Sequence, residues 1–240
     1  MATFVLVHGS FQASWCWREV APRLERRGHR AVTLDLPGHG ADFTPVEQVT
    51  AEDYVDAIAR VVRTLGVRPV LVGHSMGTPI AGVAEANPDS VAALVFVAGL
   101  LPRNGSSLLD VVGEFDPAYL AHAIWADDRR SVRIAPDGVR AFLYSDVPAD
   151  VVNGIIPLTT AEPVAPYETT FTATKERFGR VPRYYVETRR DRVVLPAIQR
   201  SIQARMAFTS VFSLDTGHSP FFSMPDELVA CLEAAGVEAS

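Results

Sequence analysis

The chain has little cysteine, almost no lysine and no long apolar run. Two cysteines, Cys16 and Cys231, stand in 240 residues. They are too few for a disulfide framework and lack metal-ligand spacing, so both read as small apolar packing residues. One lysine, Lys175, occurs among 22 basic residues, the net charge is −6, and no cluster of Lys or Arg stands out. A nucleic-acid partner would require a basic face, so none is expected. No segment approaches the roughly 18 consecutive apolar residues that span a bilayer. The first strand begins by Thr3, which leaves no room for a signal peptide. A cytoplasmic protein without membrane association is therefore expected. No His/Cys/Asp cluster has metal spacing, and neither G-x-G-x-x-G nor a P-loop occurs, so no metal is expected. What is present, 48% hydrophobic and 21% charged residues, is the composition of a globular chain able to bury a substantial core.

Short apolar runs alternate with helical patterns. Phe4–Val7, Arg30–Leu34, Pro69–Val72, Val91–Val97, Arg183–Glu187 and Ala207–Leu214 read as strands. Between them, Trp15 to about Arg27, Thr50 to Leu65, the segment ending near Ala86, Pro196–Met206 and Asp226 to about Ala235 read as helices. Thr50 is placed as an N-cap with Asp53 as its capping partner. This rhythm predicts an α/β protein with a mostly parallel sheet of about six strands flanked by helices. It lapses between residues 102 and 180, where Pro, Asp, Thr and aromatics are frequent. The expected organisation is a core of residues 1–101 and 181–240, with 102–180 inserted as a helical lid over the carboxyl edge of the sheet.

One pentapeptide carries the chemistry. Gly73-His74-Ser75-Met76-Gly77 follows a buried strand and opens a helix. This G-x-S-x-G context resembles the nucleophile elbow of α/β-hydrolases, in which a sharp turn presents the serine at the sheet edge and small flanking residues let strand and helix pack closely. Serine needs an adjacent base, and the base needs a carboxylate to fix its tautomer. In that fold the order is Ser, Asp/Glu, His, with the later two in loops after later strands. Asp191 follows the strand at 183–187, and His218 follows the strand ending at Leu214. Asp215 reads instead as a structural loop residue. His8 and His74 read as structural, and His29 and His39 as turn residues at the surface. The oxyanion hole needs two backbone N–H donors. Met76, at a helix N-terminus, is one; Ser10, in the loop after the first strand, is the other. The substrate pocket is expected to be mostly apolar and to draw on Phe11, Leu101, Trp125 and Phe222, with His122 of the lid as a further contact.

Residues Phe4–Gly9, Trp15-Cys16-Trp17, Gly28-His29, Leu34–Leu36, Val72–Gly77, Glu176–Gly179, Asp191 with Leu195-Pro196, and Gly217-His218 occur in one order along the chain. In this the sequence resembles the plant methyl esterase and hydroxynitrile lyase branch of the α/β-hydrolase superfamily and its bacterial relatives. The resemblance implies Ser75, Asp191 and His218 as a catalytic triad, oxyanion N–H groups from Ser10 and Met76, no cofactor, and a small-molecule substrate. A homodimer is compatible with it. The sequence departs from the plant branch in the loop Pro37-Gly38-His39-Gly40 and in a shorter lid. The lyases carry threonine where this chain has Gly9 and lysine where it has Ser219, which favours a hydrolase. The reading is a serine hydrolase acting on a carboxylic ester of a small hydrophobic or aromatic molecule. A lyase, cyclase or lactone-processing enzyme on the same scaffold stays open, as does a non-enzymatic ligand receptor.

Overall fold

The computed structural model describes residues 1–238. Among the described residues, nine strands form two sheets: β1 (Thr3–Val7), β2 (Arg30–Thr33), β3 (Val70–His74), β4 (Ala93–Val97), β5 (Ala123–Trp125), β6 (Ser131–Ile134), β7 (Glu162–Pro163), β8 (Arg183–Thr188) and β9 (Ser210–Leu214). The larger sheet has the order β2-β1-β3-β4-β8-β9, and every neighbouring pair in it is parallel. β1, β3 and β4 are buried along their whole length, as continuous apolar runs covered by helices on both faces should be. The outer strands β2 and β9 mix buried or half-buried with exposed positions.

The chain runs from β1 outward to β2 and then returns to β3 on the other side of β1. The strand order therefore reverses between β1 and β3. A crevice opens at the carboxyl ends of such a pair, and ligands bind there in open α/β sheets. Val7 pairs with Gly73 in register, so the loop after β1 and the elbow after β3 leave the sheet side by side.

One of the expected helices is broken. The helix expected from Trp15 to Arg27 is a 3-10 turn, Ser14–Trp17, followed by a separate α-helix, Ala21–Arg26. Pro22 explains the break: it lacks the N–H that a continuing helix needs, and it sits at the start of the second piece, where that N–H would have no partner. The helix Ala51–Thr64 opens with the expected capping box, in which Thr50 and Asp53 satisfy each other's backbone N–H groups.

The inserted segment is not purely helical. Besides short helices such as Leu108–Val112 and Ala149–Ile155 it holds a second sheet, in which β6 pairs antiparallel with both β5 and β7. Ile124 and Trp125 pair with Arg133 and Val132 across a turn in which Arg129 takes a φ of 61°. A strand of three residues gives too short an alternation to stand out in a sequence. Among the described residues, no helix is long and apolar enough to cross a membrane.

Candidate active site

Ser75 has a φ of 55°, a left-handed conformation that a non-glycine residue adopts only when its surroundings impose it. Here the next strand imposes it. The Ser75 N–H donates to Val97 O at 3.0 Å, and Ser75 O accepts from the N–H groups of Leu100 at 2.5 Å and Gly77 at 2.6 Å. The small residues of the motif are required by space. A Cβ built on Gly73 would lie 2.9 Å from Ile80 Cδ1, and one on Gly77 would lie 2.8 Å from Phe96 Cδ1. Both approaches are below real Cβ contact distances, so larger residues would push the helix Thr78–Ala86 off the sheet.

The structure brings Ser75, His218 and Asp191 into one line. His218 Nε2 is 3.1 Å from Ser75 Oγ, and His218 Nδ1 is 2.8 Å from Asp191 Oδ2. All three are buried. Asp191 is surrounded by donors. Its Oδ1 accepts the N–H groups of Val193 at 2.8 Å and Val194 at 3.0 Å. Its Oδ2 also accepts from the Thr188 hydroxyl at 2.8 Å and from Gln199 Nε2 at 3.4 Å. A carboxylate so held is an acceptor only, which forces the proton of neutral His218 onto Nδ1 and leaves Nε2 free to accept from the serine hydroxyl.

The loop carrying His218 is tied on two sides. His74 Nε2 meets the His218 carbonyl oxygen at 2.8 Å. That oxygen can only accept, so His74 carries its proton on Nε2. Burial, aided by the neighbouring His218, holds the pKa of His74 well below its ordinary value. From the inserted segment, Asp146 Oδ2 accepts from Gly217 N–H at 2.6 Å and from the Thr216 hydroxyl at 2.9 Å. The Ser219 hydroxyl donates to Leu143 O at 2.7 Å. Asp215 lies at the surface near Arg189 and Arg190, 3.6 Å and 3.7 Å away, outside the Ser75 line.

Ser10 and Met76 stand on the two loops that leave β1 and β3 together. Among the described residues neither backbone N–H is taken by another group. Ser10 lines a cavity of about 100 Å³ that reaches Ser75, and Met76 does not. Its wall is apolar except for Ser10, Tyr119, Glu162 and Tyr167. Of the residues read from the sequence as pocket candidates, Phe11 and Trp125 line it. Leu101, Phe222 and His122 do not. Leu101 is fully buried, while its neighbour Leu100 lines the cavity. Phe222 turns away to pack on Trp15, Phe221, Tyr144 and Arg18. His122 stacks against Phe142 and over Gly138. A larger cleft, about 550 Å³, lies where the helices Ala51–Thr64 and Thr78–Ala86 meet residues 166–172; Met76 lines it, and Ser75, His218 and Asp191 do not.

His39 corrects the sequence reading most clearly. It is 1% exposed rather than in a surface turn, and its Nε2 is 3.1 Å from Glu162 Oε2. Burial alone would depress its pKa, but the Glu162 carboxylate outweighs that and raises it. His8, also fully buried, accepts the Leu36 N–H on Nε2 at 3.1 Å and places Nδ1 2.9 Å from Gly9 O. Burial, with His39 nearby, lowers its pKa to about 3. Sequence reasoning missed Thr188, Gln199, Glu162 and Tyr167. Gln199 had one faint signal, a polar residue between the buried Ile198 and Ile202 of its helix. Among the described residues no group of three or more His, Cys, Asp or Glu side chains could hold a metal ion.

The fold and this constellation define a class: an α/β-hydrolase with serine, histidine and aspartate in hydrogen-bonded line at the carboxyl edge of its sheet. The alpha/beta hydrolase family model matches residues 4–231, and the chain belongs to that family. It is 30% identical to methylesterase 7 of Arabidopsis thaliana, over 95% of this chain and 94% of the relative. It is 27% identical to a pyrethroid hydrolase of Sphingobium wenxiniae, over 95% of this chain and 85% of that one. The crystal structure of a pyrethroid hydrolase from Sphingobium faniae JZ-2 superposes with a TM-score of 0.88 at 26% identity, covering 98% of this chain and 97% of that chain.

Proposed function

We propose that the chain is a serine hydrolase that cleaves a carboxylic ester of a small, mostly hydrophobic or aromatic molecule. The carrying observation is the row Asp191–His218–Ser75, with separations of 2.8 Å and 3.1 Å, opening onto an apolar cavity. Relatives named methylesterase and pyrethroid hydrolase support the same reaction type.

In this reading Ser75 Oγ attacks the ester carbonyl while His218 Nε2 takes its proton. Asp191 stabilises the imidazolium, and the N–H groups of Ser10 and Met76 receive the oxyanion. The tetrahedral intermediate collapses, the C–O bond breaks, and the alcohol departs with the proton from His218. Water then attacks the acyl-enzyme with the same histidine as base, which releases the acid and restores Ser75. The chemistry needs no cofactor. The cavity wall, apolar but for a few hydroxyls and one carboxylate, suits an uncharged substrate.

Gly9 favours hydrolysis over the lyase reading. A Cβ there would stand 2.7 Å from His74 Nδ1 and 2.8 Å from Ser75 Cβ. The threonine of the lyases therefore has no room beside this serine.

The test is reaction with a fluorophosphonate, read by intact mass and peptide mapping, on wild type and His218→Ala. The expected result is one adduct, on Ser75, that is lost in the variant. A wild-type protein that stays unlabelled, or is labelled elsewhere, overturns the assignment.

A further inference from the structure

Among the contacts of the inserted segment with the core that the reaction above does not use, one is deeply buried. Glu162, in β7, is 1% exposed. Its Oε2 accepts the Phe11 N–H at 2.9 Å and faces His39 Nε2 at 3.1 Å. Its Oε1 accepts the Tyr54 hydroxyl at 3.4 Å. His39 Nδ1 lies 3.1 Å from the Pro37 carbonyl oxygen. That oxygen can only accept, so Nδ1 carries a proton. With Nε2 turned to a carboxylate, the ring donates from both nitrogens, and the two side chains form a buried ion pair.

Phe11 directly follows Ser10 and takes a φ of 64°. An aromatic residue holds that conformation only under constraint. Both backbone hydrogen bonds of Phe11 are made with residues 160–162. Its N–H is held by Glu162, and its carbonyl accepts the Thr160 N–H at 3.0 Å. The Ser10 hydroxyl is hydrogen-bonded to that of Tyr167, whose pKa burial raises well above the usual tyrosine value. Ser10 is thus bracketed by its own side chain and by the peptide that follows it, while its N–H stays unclaimed.

We propose that Glu162 is a positioning residue for the oxyanion hole: by holding the Phe11 N–H it fixes the Ser10–Phe11 peptide, and with it the orientation of Ser10, so that the Ser10 N–H meets the developing oxyanion. The hole is then complete only when the inserted segment is seated on the loop after β1. This inference rests on the serine-hydrolase reading and adds to it a residue far from the triad in sequence.

Three variants test it: Glu162→Leu, the double variant His39→Leu/Glu162→Leu, and Glu162→Gln. The double variant leaves no unpaired charge buried, so it guards against a failure that is merely one of folding. Each is assayed for kcat and KM on p-nitrophenyl esters. Binding is measured for an aryl trifluoromethyl ketone, whose hemiketal with Ser75 puts an oxyanion in the hole, and for the matching secondary alcohol, which forms none. The expected result for both leucine variants is a roughly 100-fold fall in kcat, KM within about threefold, and a parallel loss of ketone affinity with alcohol affinity kept. Glu162→Gln should recover at least roughly tenfold of that loss, because its amide oxygen can still accept the Phe11 N–H. Folded leucine variants that keep kcat and ketone affinity overturn the inference. So does a loss confined to KM, which would make Glu162 a substrate contact instead. A wild-type protein that neither hydrolyses the esters nor binds the ketone overturns the hydrolase reading itself, and the inference with it.

Discussion

At the scale of single residues, the site is decided by what each polar atom is allowed to do. Asp191 meets five donors: the N–H groups of Val193 and Val194, the hydroxyl of Thr188, Gln199 Nε2 and His218 Nδ1. An asparagine here would turn an NH₂ group toward donors at either end. If it faced His218, the imidazole would be left in the wrong tautomer. Asp191→Asn should therefore lower kcat on an ester roughly 10⁴-fold with little change in KM, as steady-state kinetics would reveal. Gly9→Thr should inactivate by a different route. Its added atoms have no space between His74 and Ser75, and overpacking of this kind costs about 1–3 kcal/mol. Thermal melting alongside the ester assay would show both losses, with no cyanohydrin cleavage gained. Ser75, Asp191 and His218 were legible because each follows a strand, in an order that the fold dictates. Glu162 and Gln199 were not, because their meaning lies in partners on other elements. Glu162 is 151 residues from Phe11 and 123 from His39, and nothing local marks it as buried.

At the scale of elements, legibility followed length and regularity. The inner parallel strands β1, β3 and β4 were readable because burial on both faces makes them continuous apolar runs. The break at Pro22 and the strands β5–β7 were not. A six-residue helix and strands of two to four residues are too short for a period to show. Local capping chemistry was legible, since both partners lie within one turn. The Thr50 hydroxyl accepts the Asp53 N–H at 3.2 Å, and Asp53 Oδ2 accepts the Thr50 N–H at 2.8 Å. Thr50→Ala removes one half of that box at the start of a 14-residue helix. Urea unfolding should show a loss of about 1 kcal/mol with an unchanged m-value and unchanged kcat, because Thr50 itself lines neither the cavity nor the larger cleft.

At the scale of the whole molecule, three buried histidines give the fold a pH optimum. In the folded state His8 has its pKa lowered to about 3 and His74 well below its ordinary value, both through burial. Unfolding lets each return to the ordinary 6.5. As the pH falls below that value, the unfolded chain takes up two protons that the folded one refuses. Stability must then fall, by up to about 1.4 kcal/mol per proton for each pH unit. His39 acts in the opposite direction. Its folded pKa is raised by Glu162, so its contribution is fully present below the unfolded value and is lost as the pH rises through the folded one. Stability should therefore peak near neutrality and decline on both sides. Denaturant unfolding at pH 7, 6 and 5 should show the acid limb steepening toward two protons before ordinary carboxylates titrate. The double variant His39→Leu/Glu162→Leu should flatten the alkaline limb and leave the acid limb in place. A stability flat between pH 7 and 5 would mean that His8 and His74 accept protons within the fold. The hydrogen bonds they make there, Leu36 N–H to His8 and His74 to the His218 carbonyl, would then have to be assigned to other protonation states.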